Sequence, residues 1–320
     1  MKIYFHGNCQ AAALARMVQE VIPSGEITAR EIHIEEQFED RAAYLHDIKT
    51  ADAIVAQPIR ADYQGGFEKS LEFVRREARP GVPIVTFPSI YFDGQLPEWS
   101  YLRQGGETLP PYRMDYHNLF AFQAALLREN VDAFITRVLN PALYSRRLIE
   151  VSLERSLISL ASRERELKTD IIVSDLLRQD CRRWQVMSTI NHPRRELLAA
   201  CVNRLLRKLG RTEEVASDGA EYLAFPKIPV LPAVAEFLAA GNEGEVTPEF
   251  RFSDREEGGQ SQEAFYRGAY AHYASLPESQ LVAAYRKNRD ARVFLSSVAL
   301  QRSSWLRQKW GHLQAYLHGE

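Results

Sequence analysis

The chain has few cysteines, almost no net charge and no long apolar run, and each scarcity excludes a class of protein. Its 320 residues include three cysteines, Cys9, Cys181 and Cys201, far apart and without CxxC spacing. A disulfide framework or zinc site is therefore not expected. The formal net charge of -2 gives no electrostatic case for a nucleic-acid partner. No segment approaches the roughly 18–20 apolar residues that span a bilayer, and no signal-peptide pattern precedes the first strand. We expect a cytoplasmic protein with reduced thiols.

Several catalytic motifs are also missing. Neither GxxxxGK[ST] nor GxGxxG occurs, which argues against a P-loop nucleotidase or a standard dinucleotide enzyme. HExxH and GxSxG are absent as well, and no histidine–carboxylate cluster has metal-ligand spacing. The sequence therefore predicts no metal site.

What the chain does contain is an alternation of strand and helix patterns in residues 1–95. The predicted strands are 2–6, 28–34, 51–56 and 83–87, and the predicted helices are 10–22, 39–49 and 67–79. Strands separated by helices indicate a parallel sheet with right-handed crossovers. We predict an α/β fold with a small parallel-sheet subdomain, residues 1–95, of flavodoxin-like or SGNH-like topology, and a larger, mainly α-helical remainder.

The rest of the chain, residues 96–320, is predicted to be mainly helical. Residues 95–116 are rich in Pro, Gly and aromatics and predict an irregular connection. Beyond it, helices are predicted at 118–129, 131–138, 145–161, 170–180, 193–209, 230–240, 261–275, 278–288 and 290–317, with an exposed loop at 241–260. Aromatic and basic residues mix in 305–317; they favour core packing, with a membrane surface or partner as the alternative.

Three polar turns follow predicted strands. They are Gly7-Asn8-Cys9-Gln10, Gln57-Pro58-Ile59-Arg60 and Pro88-Ser89-Ile90-Tyr91-Phe92. Because ligands of parallel sheets bind beyond the carboxyl ends of the strands, we expect all three at one edge as a site. The first turn also opens a helix, whose unpaired N–H groups and dipole favour an anion.

Cys9 is the leading candidate for chemistry. A thiol at a helix N-terminus is expected to have a lowered pKa, with His6 as its base or orienting group and Asn8 as a donor to an oxyanion. The structural alternatives are that Cys9 packs as a small residue and that Asn8 stabilises the turn through its αL tolerance. His117 and His192 each precede a predicted helix, where a histidine can act as general base, bind phosphate or simply cap the helix.

Arginines provide candidate phosphate ligands because their planar fork donates bidentate hydrogen bonds. Arg16 lies on the first predicted helix, and Arg60 follows the third strand. We favour Arg60, since its strand-end position predicts proximity to the first turn. Arg113 and the pairs Arg182-Arg183 and Arg194-Arg195 are further candidates, although paired arginines are most often solvated helix faces.

The turn His6-Gly7-Asn8-Cys9-Gln10, together with residues 57–60, 88–92 and Asn191-His192-Pro193, resembles the WcbI family of polysaccharide-biosynthesis acetyltransferases. The resemblance implies that the small α/β subdomain is embedded in a larger, mainly α-helical cradle, residues 96–320, which completes the pocket for coenzyme A or acetyl-CoA. It also implies O-acetylation of a sugar of a bacterial capsular polysaccharide. It leaves open other capsule-biosynthesis proteins as partners and peripheral association with the inner membrane. We assign catalytic roles to His6, Asn8, Cys9, His117 and His192. The expected cofactor-binding residues are Gly7, Cys9, Gln10, Arg16, Gln57, Arg60, Ser89, Tyr91 and Asn191.

Three hypotheses follow. The first is acetyl transfer to a sugar hydroxyl, either directly with a histidine base or through an acetylated Cys9. The second is an SGNH-like esterase or deacetylase, because such enzymes hold a Gly-Asp-Ser nucleophile where Gly7-Asn8-Cys9 stands. A cysteine in place of serine and the lack of an Asp-x-x-His block near the carboxyl terminus count against it. The third is a non-catalytic coenzyme A-binding subunit of a capsule-synthesis complex.

Overall fold

The computed structural model of the protein describes residues 1–63, 66–104, 107–240, 246–255 and 258–300. The chain forms two compact units. Unit 1 comprises Met1–Phe92, Arg155–Cys181 and Asn191–Ala224; unit 2 comprises Asp93–Glu154, Arg182–Ile190 and the described residues from Phe225 onward. Where the sequence predicted one boundary near residue 95, the structure adds two later segments to the amino-terminal unit.

The sheet of unit 1 has four parallel strands: β1 Lys2–Gly7, β2 Glu26–Glu31, β3 Ala53–Ala56 and β4 Ile84–Thr86, in the order β2-β1-β3-β4. This confirms the predicted parallel α/β fold. The second strand lies earlier than the predicted 28–34, because Ile32 N–H already donates to Gly7 O at the strand end. Since the strand order reverses between β1 and β3, the ligand crevice is expected there.

The helices, in chain order, are α1 Cys9–Val21, α2 Glu36–Glu39, α3 Arg41–Thr50, α4 Leu71–Glu77, α5 Leu119–Leu126, α6 Val131–Val138, α7 Arg146–Leu167, α8 Ser174–Asp180, α9 Arg195–Lys208, α10 Pro232–Ala239, α11 Gln262–Ser275, α12 Glu278–Lys287 and α13 Arg289–Leu300. None within the described ranges is long and apolar enough to cross a membrane. Of the predicted helix 290–317, residues 301–317 lie outside the described residues, as do 241–245 and 256–257 of the predicted loop.

Two predicted helices begin four residues later than expected, for identifiable reasons. The predicted helix 67–79 is divided at Ser70, which has an extended backbone and whose side chain caps α4 by accepting from Phe73 N. The predicted helix 170–180 starts only at Ser174, because Ile171 N–H donates to Thr86 O and Asp170 Oδ2 accepts from Thr86 N. This segment therefore satisfies backbone groups at the otherwise open edge of β4.

The two faces of the unit 1 sheet are buried by different helices. Tyr4 and His6 of β1 lie on the face of Tyr44 (α3), whose ring stacks on that of Phe73 (α4). Successive side chains alternate between faces, so Phe5 lies on the opposite one, where α1 packs. Both faces are apolar, which is the pattern expected for a parallel sheet.

Unit 2 is mainly helical, with aromatic packing. The predicted irregular connection contains two short ribbons, Trp99–Ser100 paired with His117–Asn118 and Arg103–Gln104 paired with Glu107–Thr108. Helix α5 is buried at every position, as expected of a helix that is apolar all round, and the Asn118 side chain caps it.

Candidate functional site

The turn after β1 is built by the backbone and side chain of Asn8. Asn8 Oδ1 accepts from Gln10 N at 3.0 Å, and Asn8 O accepts from Ala11 N at 2.9 Å. Asn8 is thus the N-cap of α1, with a φ of -83° rather than an αL conformation. The turn uses two of the N–H groups that a helix entrance would offer to an anion.

Gly7 leaves room for a hydrogen bond that joins the ends of β1 and β3. Gln57, which follows β3, accepts from Asn8 N through Oε1 at 2.9 Å. A Cβ on Gly7 would lie 2.8 Å from that same Oε1. Glycine is required here because of this close approach, and its φ is unremarkable.

Gln10 ties three segments of unit 1 together. Its fully buried side chain donates from Nε2 to Ile90 O at 2.9 Å and to Asn191 O at 2.7 Å. Its Oε1 accepts from Ile90 N at 2.9 Å and from Gln57 Nε2 at 3.4 Å. The sequence predicted Gln10 as a cofactor ligand; in the structure its polar atoms hold the loops after β3, after β4 and before α9.

Cys9 and His192 lie side by side, although 183 positions separate them. Cys9 Sγ is 3.7 Å from His192 Nε2, within hydrogen-bond range for sulfur, and both residues are half-buried. Burial, and next the Glu31 carboxylate, raise the pKa of the Cys9 thiol to about 11, against the lowering effect of the Gln10 and Cys9 N–H groups. The predicted lowered pKa is therefore wrong, because desolvation outweighs the helix terminus. With its pKa raised in this way, Cys9 is a thiol rather than a thiolate at pH 7.

The segment that carries His192 is held at both ends by α1. Gln10 binds Asn191 O on one side. On the other, the buried Arg195 pairs with Glu20 through two bonds of 3.0 and 2.7 Å and donates to Asp218 O. Arg195 was predicted to be a phosphate ligand or a solvated residue. In the structure it forms an ion pair with Glu20 instead.

The other two candidate histidines are buried in different surroundings. His6 is fully buried, and its Nε2 donates to Lys69 O at 2.8 Å, so its Nδ1 accepts from Tyr4 Oη at 3.0 Å. Burial lowers the pKa of His6 to about 4. His117 belongs to unit 2, where its Nδ1 lies 2.9 Å from Tyr273 Oη and burial likewise lowers its pKa to about 4.

The remaining polar candidates surround the turn or lie on the surface. Exposed Ser89 accepts through Oγ from Asn8 Nδ2 at 3.4 Å. Tyr91 O accepts from Arg163, whose guanidinium lies 6.0 Å from the Tyr91 ring centroid.

Two of the predicted phosphate arginines, Arg16 and Arg60, differ in their surroundings. Arg16 is exposed on α1, with its guanidinium 5.7 Å from the Tyr222 ring centroid. The exposed Arg60 forms two bonds with Asp62, at 3.0 and 2.8 Å. A ligand must therefore displace Asp62 to bind Arg60. The uncharged Tyr222 ring, in contrast, does not neutralise the guanidinium of Arg16.

The structure brings a subset of the predicted residues together through the contacts above. These are Gly7, Asn8, Cys9, Gln10, Gln57, Ser89, Asn191 and His192. The sequence did not indicate Glu31, because the predicted strand 28–34 placed it within the strand and not at its end. It also did not indicate the pair of Arg195 and Glu20, because no spacing pattern links these residues. Within the described ranges, no three His, Cys, Asp or Glu side chains are grouped as metal ligands.

Comparison with known proteins gives two matches. The family model described as polysaccharide biosynthesis enzyme WcbI matches residues 2–214, a range that includes both Cys9 and His192. A solved structure of WcbI, described as a novel polysaccharide biosynthesis enzyme, superposes with a TM-score of 0.77 at 21% identity, over 93% of this chain and 98% of its own. It is the native protein without a disulfide bond between coenzyme A and a cysteine. No curated protein matches the chain.

Proposed function

Because this chain belongs to the WcbI family of polysaccharide biosynthesis enzymes, we propose that it transfers an acetyl group from acetyl-CoA to a hydroxyl of a sugar in a bacterial capsular polysaccharide or its precursor. The observation that carries the proposal is the 3.7 Å contact between Cys9 and His192 at the carboxyl ends of the parallel strands. Coenzyme A association of a solved WcbI protein supports the choice of donor.

His192 is the proposed general base. It removes the proton of the acceptor hydroxyl and returns it to the sulfur of the departing coenzyme A, so that its own charge is unchanged after one turnover. His6 is less suited, because both of its ring nitrogens are bonded inside the sheet core. His192 is instead half-buried beside the turn, in a segment that Gln10 binds at Asn191 O and that Arg195 anchors to Glu20.

Asn8 is the proposed donor to the developing oxyanion. Its Oδ1 accepts from the helix N–H of Gln10, which fixes the amide orientation and turns Nδ2 toward Ser89. A donor whose orientation is fixed before the reaction stabilises charge without reorganisation, an effect of roughly 3–4 kcal/mol in other acyl-transfer sites.

Cys9 is the proposed thioester contact, with direct transfer favoured over an acetylated enzyme. A thiol whose pKa is raised to about 11 is a weak nucleophile at neutral pH unless His192 removes its proton. Because His192 contacts Cys9, it could take the thiol proton, and the two-step route through an acetylated Cys9 therefore remains a hypothesis to test.

The donor's phosphates are proposed to bind cationic side chains beyond the turn, because Asn8 already accepts from two of the N–H groups at the helix entrance. Arg16, exposed seven residues after Cys9 on α1, is the proposed phosphate ligand, and the neighbouring Tyr222 ring offers an apolar face. Seven residues of helix correspond to about 10 Å along its axis. This separation allows the two ends of a long donor to be bound by one helix.

The test measures coenzyme A release with acetyl-CoA and a panel of nucleotide-activated and free sugars. We expect His192→Asn to lower kcat by about 10²- to 10⁴-fold and Cys9→Ala to retain binding and part of the activity. His46→Asn is the control, because His46 is exposed on α3. Complete loss in Cys9→Ala, with an acetyl adduct on the wild-type protein, would establish the two-step route instead.

Other outcomes separate the two remaining hypotheses. Acetate release that needs no sugar would favour hydrolysis, which the same cysteine–histidine contact permits. Calorimetry that shows coenzyme A binding, with no turnover on any acceptor and no effect of His192→Asn, would favour the non-catalytic subunit. Absence of binding to coenzyme A, acetyl-CoA and dephospho-CoA would refute the proposed donor.

A further inference from the structure

Glu31 ends β2 directly beside the Cys9 turn. Its Cα pairs with that of Gly7 in the parallel register, and the next N–H, of Ile32, donates to Gly7 O at 2.7 Å. The Glu31 backbone is also fixed from its own side, since its N–H donates to Gln37 Oε1 at 2.7 Å. The end of β2 is therefore held against the turn by Ile32 and fixed on its other side by Gln37.

The side chain of Glu31 lies on the face of the sheet that α1 covers. Its neighbour Arg30 lies on the opposite face, with its guanidinium 5.7 Å from the Tyr44 ring centroid. Because side chains alternate along a strand, Glu31 is directed to the α1 face, where the helix begins at Cys9. The effect of its carboxylate on the Cys9 thiol agrees with this placement. One fifth of the side chain is exposed, and His33 Nε2 lies 3.6 Å from Oε2.

A carboxylate at this position changes what the start of α1 can bind. The N-terminus of a helix attracts phosphate through its dipole and its unpaired N–H groups. Here Asn8 accepts from one of those N–H groups through its side chain and from another through its carbonyl, and a fixed negative charge faces the first turn. A phosphate would meet repulsion there, whereas an uncharged group would not.

We infer that Glu31 is a specificity-determining residue that reserves the Cys9 end of α1 for an uncharged ligand group and excludes phosphates from it. This rests on the proposed function for the identity of that group, which is then the acyl thioester or the sugar hydroxyl. The phosphates of the donor lie elsewhere, and a sugar phosphate is accepted only when its phosphate is directed away from the turn.

Alkylation of Cys9 tests the inference without any substrate. Iodoacetamide is neutral and iodoacetate is anionic, so the ratio of their rate constants at one pH measures the local charge and cancels changes in the thiol itself. Cys9 is half-buried while Cys181 and Cys201 are buried, and peptide mass spectrometry identifies the labelled residue. We expect Glu31→Gln to raise the iodoacetate-to-iodoacetamide ratio about five- to tenfold, as for unit charges several ångströms apart in a half-exposed site.

The matched control is Glu26→Gln, at the opposite end of the same strand, where the carboxylate pairs with Lys2. Its ratio should equal that of the wild type. Pyrophosphate should protect Cys9 of Glu31→Gln from iodoacetamide but leave the wild type unprotected. An unchanged ratio in folded Glu31→Gln, or wild-type protection by pyrophosphate, overturns the inference.

A second measurement needs no variant. In the wild type, raising the salt concentration from about 0.01 M to about 1 M shortens the screening length from about 30 Å to about 3 Å. Because salt then screens the Glu31 carboxylate from the anionic reagent, the iodoacetate-to-iodoacetamide ratio should rise. A ratio that does not change with salt overturns the inference. Because neither measurement uses coenzyme A or a sugar, failure here is distinguishable from failure of the proposed acetyl transfer.

Discussion

Replacement of Gln10 by methionine tests the central connection of the site. Methionine has a similar length and volume, so little cavity arises, but it can neither donate nor accept as the amide does. Ile90 N–H and Ile90 O would then lose their partner while Ile90 remains fully buried. Asn191 O loses its bond as well, but Asn191 is half-buried and water can reach it.

The expected cost follows from counting those groups. Each buried polar group left unpaired costs about 1–3 kcal/mol, so the two groups of Ile90 lower the free energy of unfolding by roughly 2–6 kcal/mol. That is a large share of the 5–15 kcal/mol that is typical of a whole protein. The loss also frees the segment that carries His192, and misplacement by about 1 Å can cost on the order of 10²-fold in rate.

Urea unfolding and acetyl-transfer rates measure the two effects, with Gln19→Met as the control on the same helix. Gln19 Nε2 donates to Ile22 O, Pro23 O and Gly25 O around the partly exposed end of α1, where water can replace it. We expect this control to change stability by less than about 1 kcal/mol. If Gln10→Met unfolds with the same free energy as Gln19→Met, Gln10 does not hold the loops together and the reasoning is refuted.

Three further outcomes are expected. Burial gives His6 a pKa of about 4 in the folded state, against about 6.5 in the unfolded state, so the unfolded state binds a proton first as the pH falls. The free energy of unfolding should therefore be highest above pH 6.5 and lower by about 2 kcal/mol at pH 5. Urea midpoints that do not fall between pH 7 and pH 5 would contradict this. Gly7→Ala should destabilise the fold by about 1–3 kcal/mol because its Cβ meets Gln57; in a double-mutant cycle Gln57→Ala should remove most of that cost, and additive effects would show that the two residues are uncoupled. The alkylation rate of Cys9 should still rise through pH 10, because its pKa is about 11; a plateau below pH 9 would show that the helix terminus prevails.

The sequence predicts well where local pattern decides. The apolar run before Gly7 and the polar turn after it predict β1, the start of α1 and a site at that point, and strands separated by helices predict the parallel sheet. Alternation along β1 also predicts that His6 lies on the same face of the sheet as Tyr4. The covering of that face by Tyr44 could be recognised only once the position of α3 was known.

The sequence does not predict what depends on distant parts of the chain. No spacing rule joins Cys9 with His192, because their contact is set by how α9 packs on α1 through Glu20 and Arg195. The sign of the Cys9 pKa shift was wrong for a related reason. Burial depends on the whole of unit 1, whereas only the helix terminus can be read locally.

The assembly of unit 1 from three stretches of chain has a consequence during synthesis. When residue 92 has been made, the four strands exist, but the edge of β4 still lacks Asp170 and Ile171. The 183 positions that separate Cys9 from His192 take about 10–40 seconds to translate at 5–20 residues per second. During that interval the nascent chain exposes the Cys9 thiol, and until Asp170 and Ile171 are made it also exposes the unpaired edge of β4, a template for wrong pairing. Cys9 labelling on stalled ribosomes would therefore report when the third stretch docks.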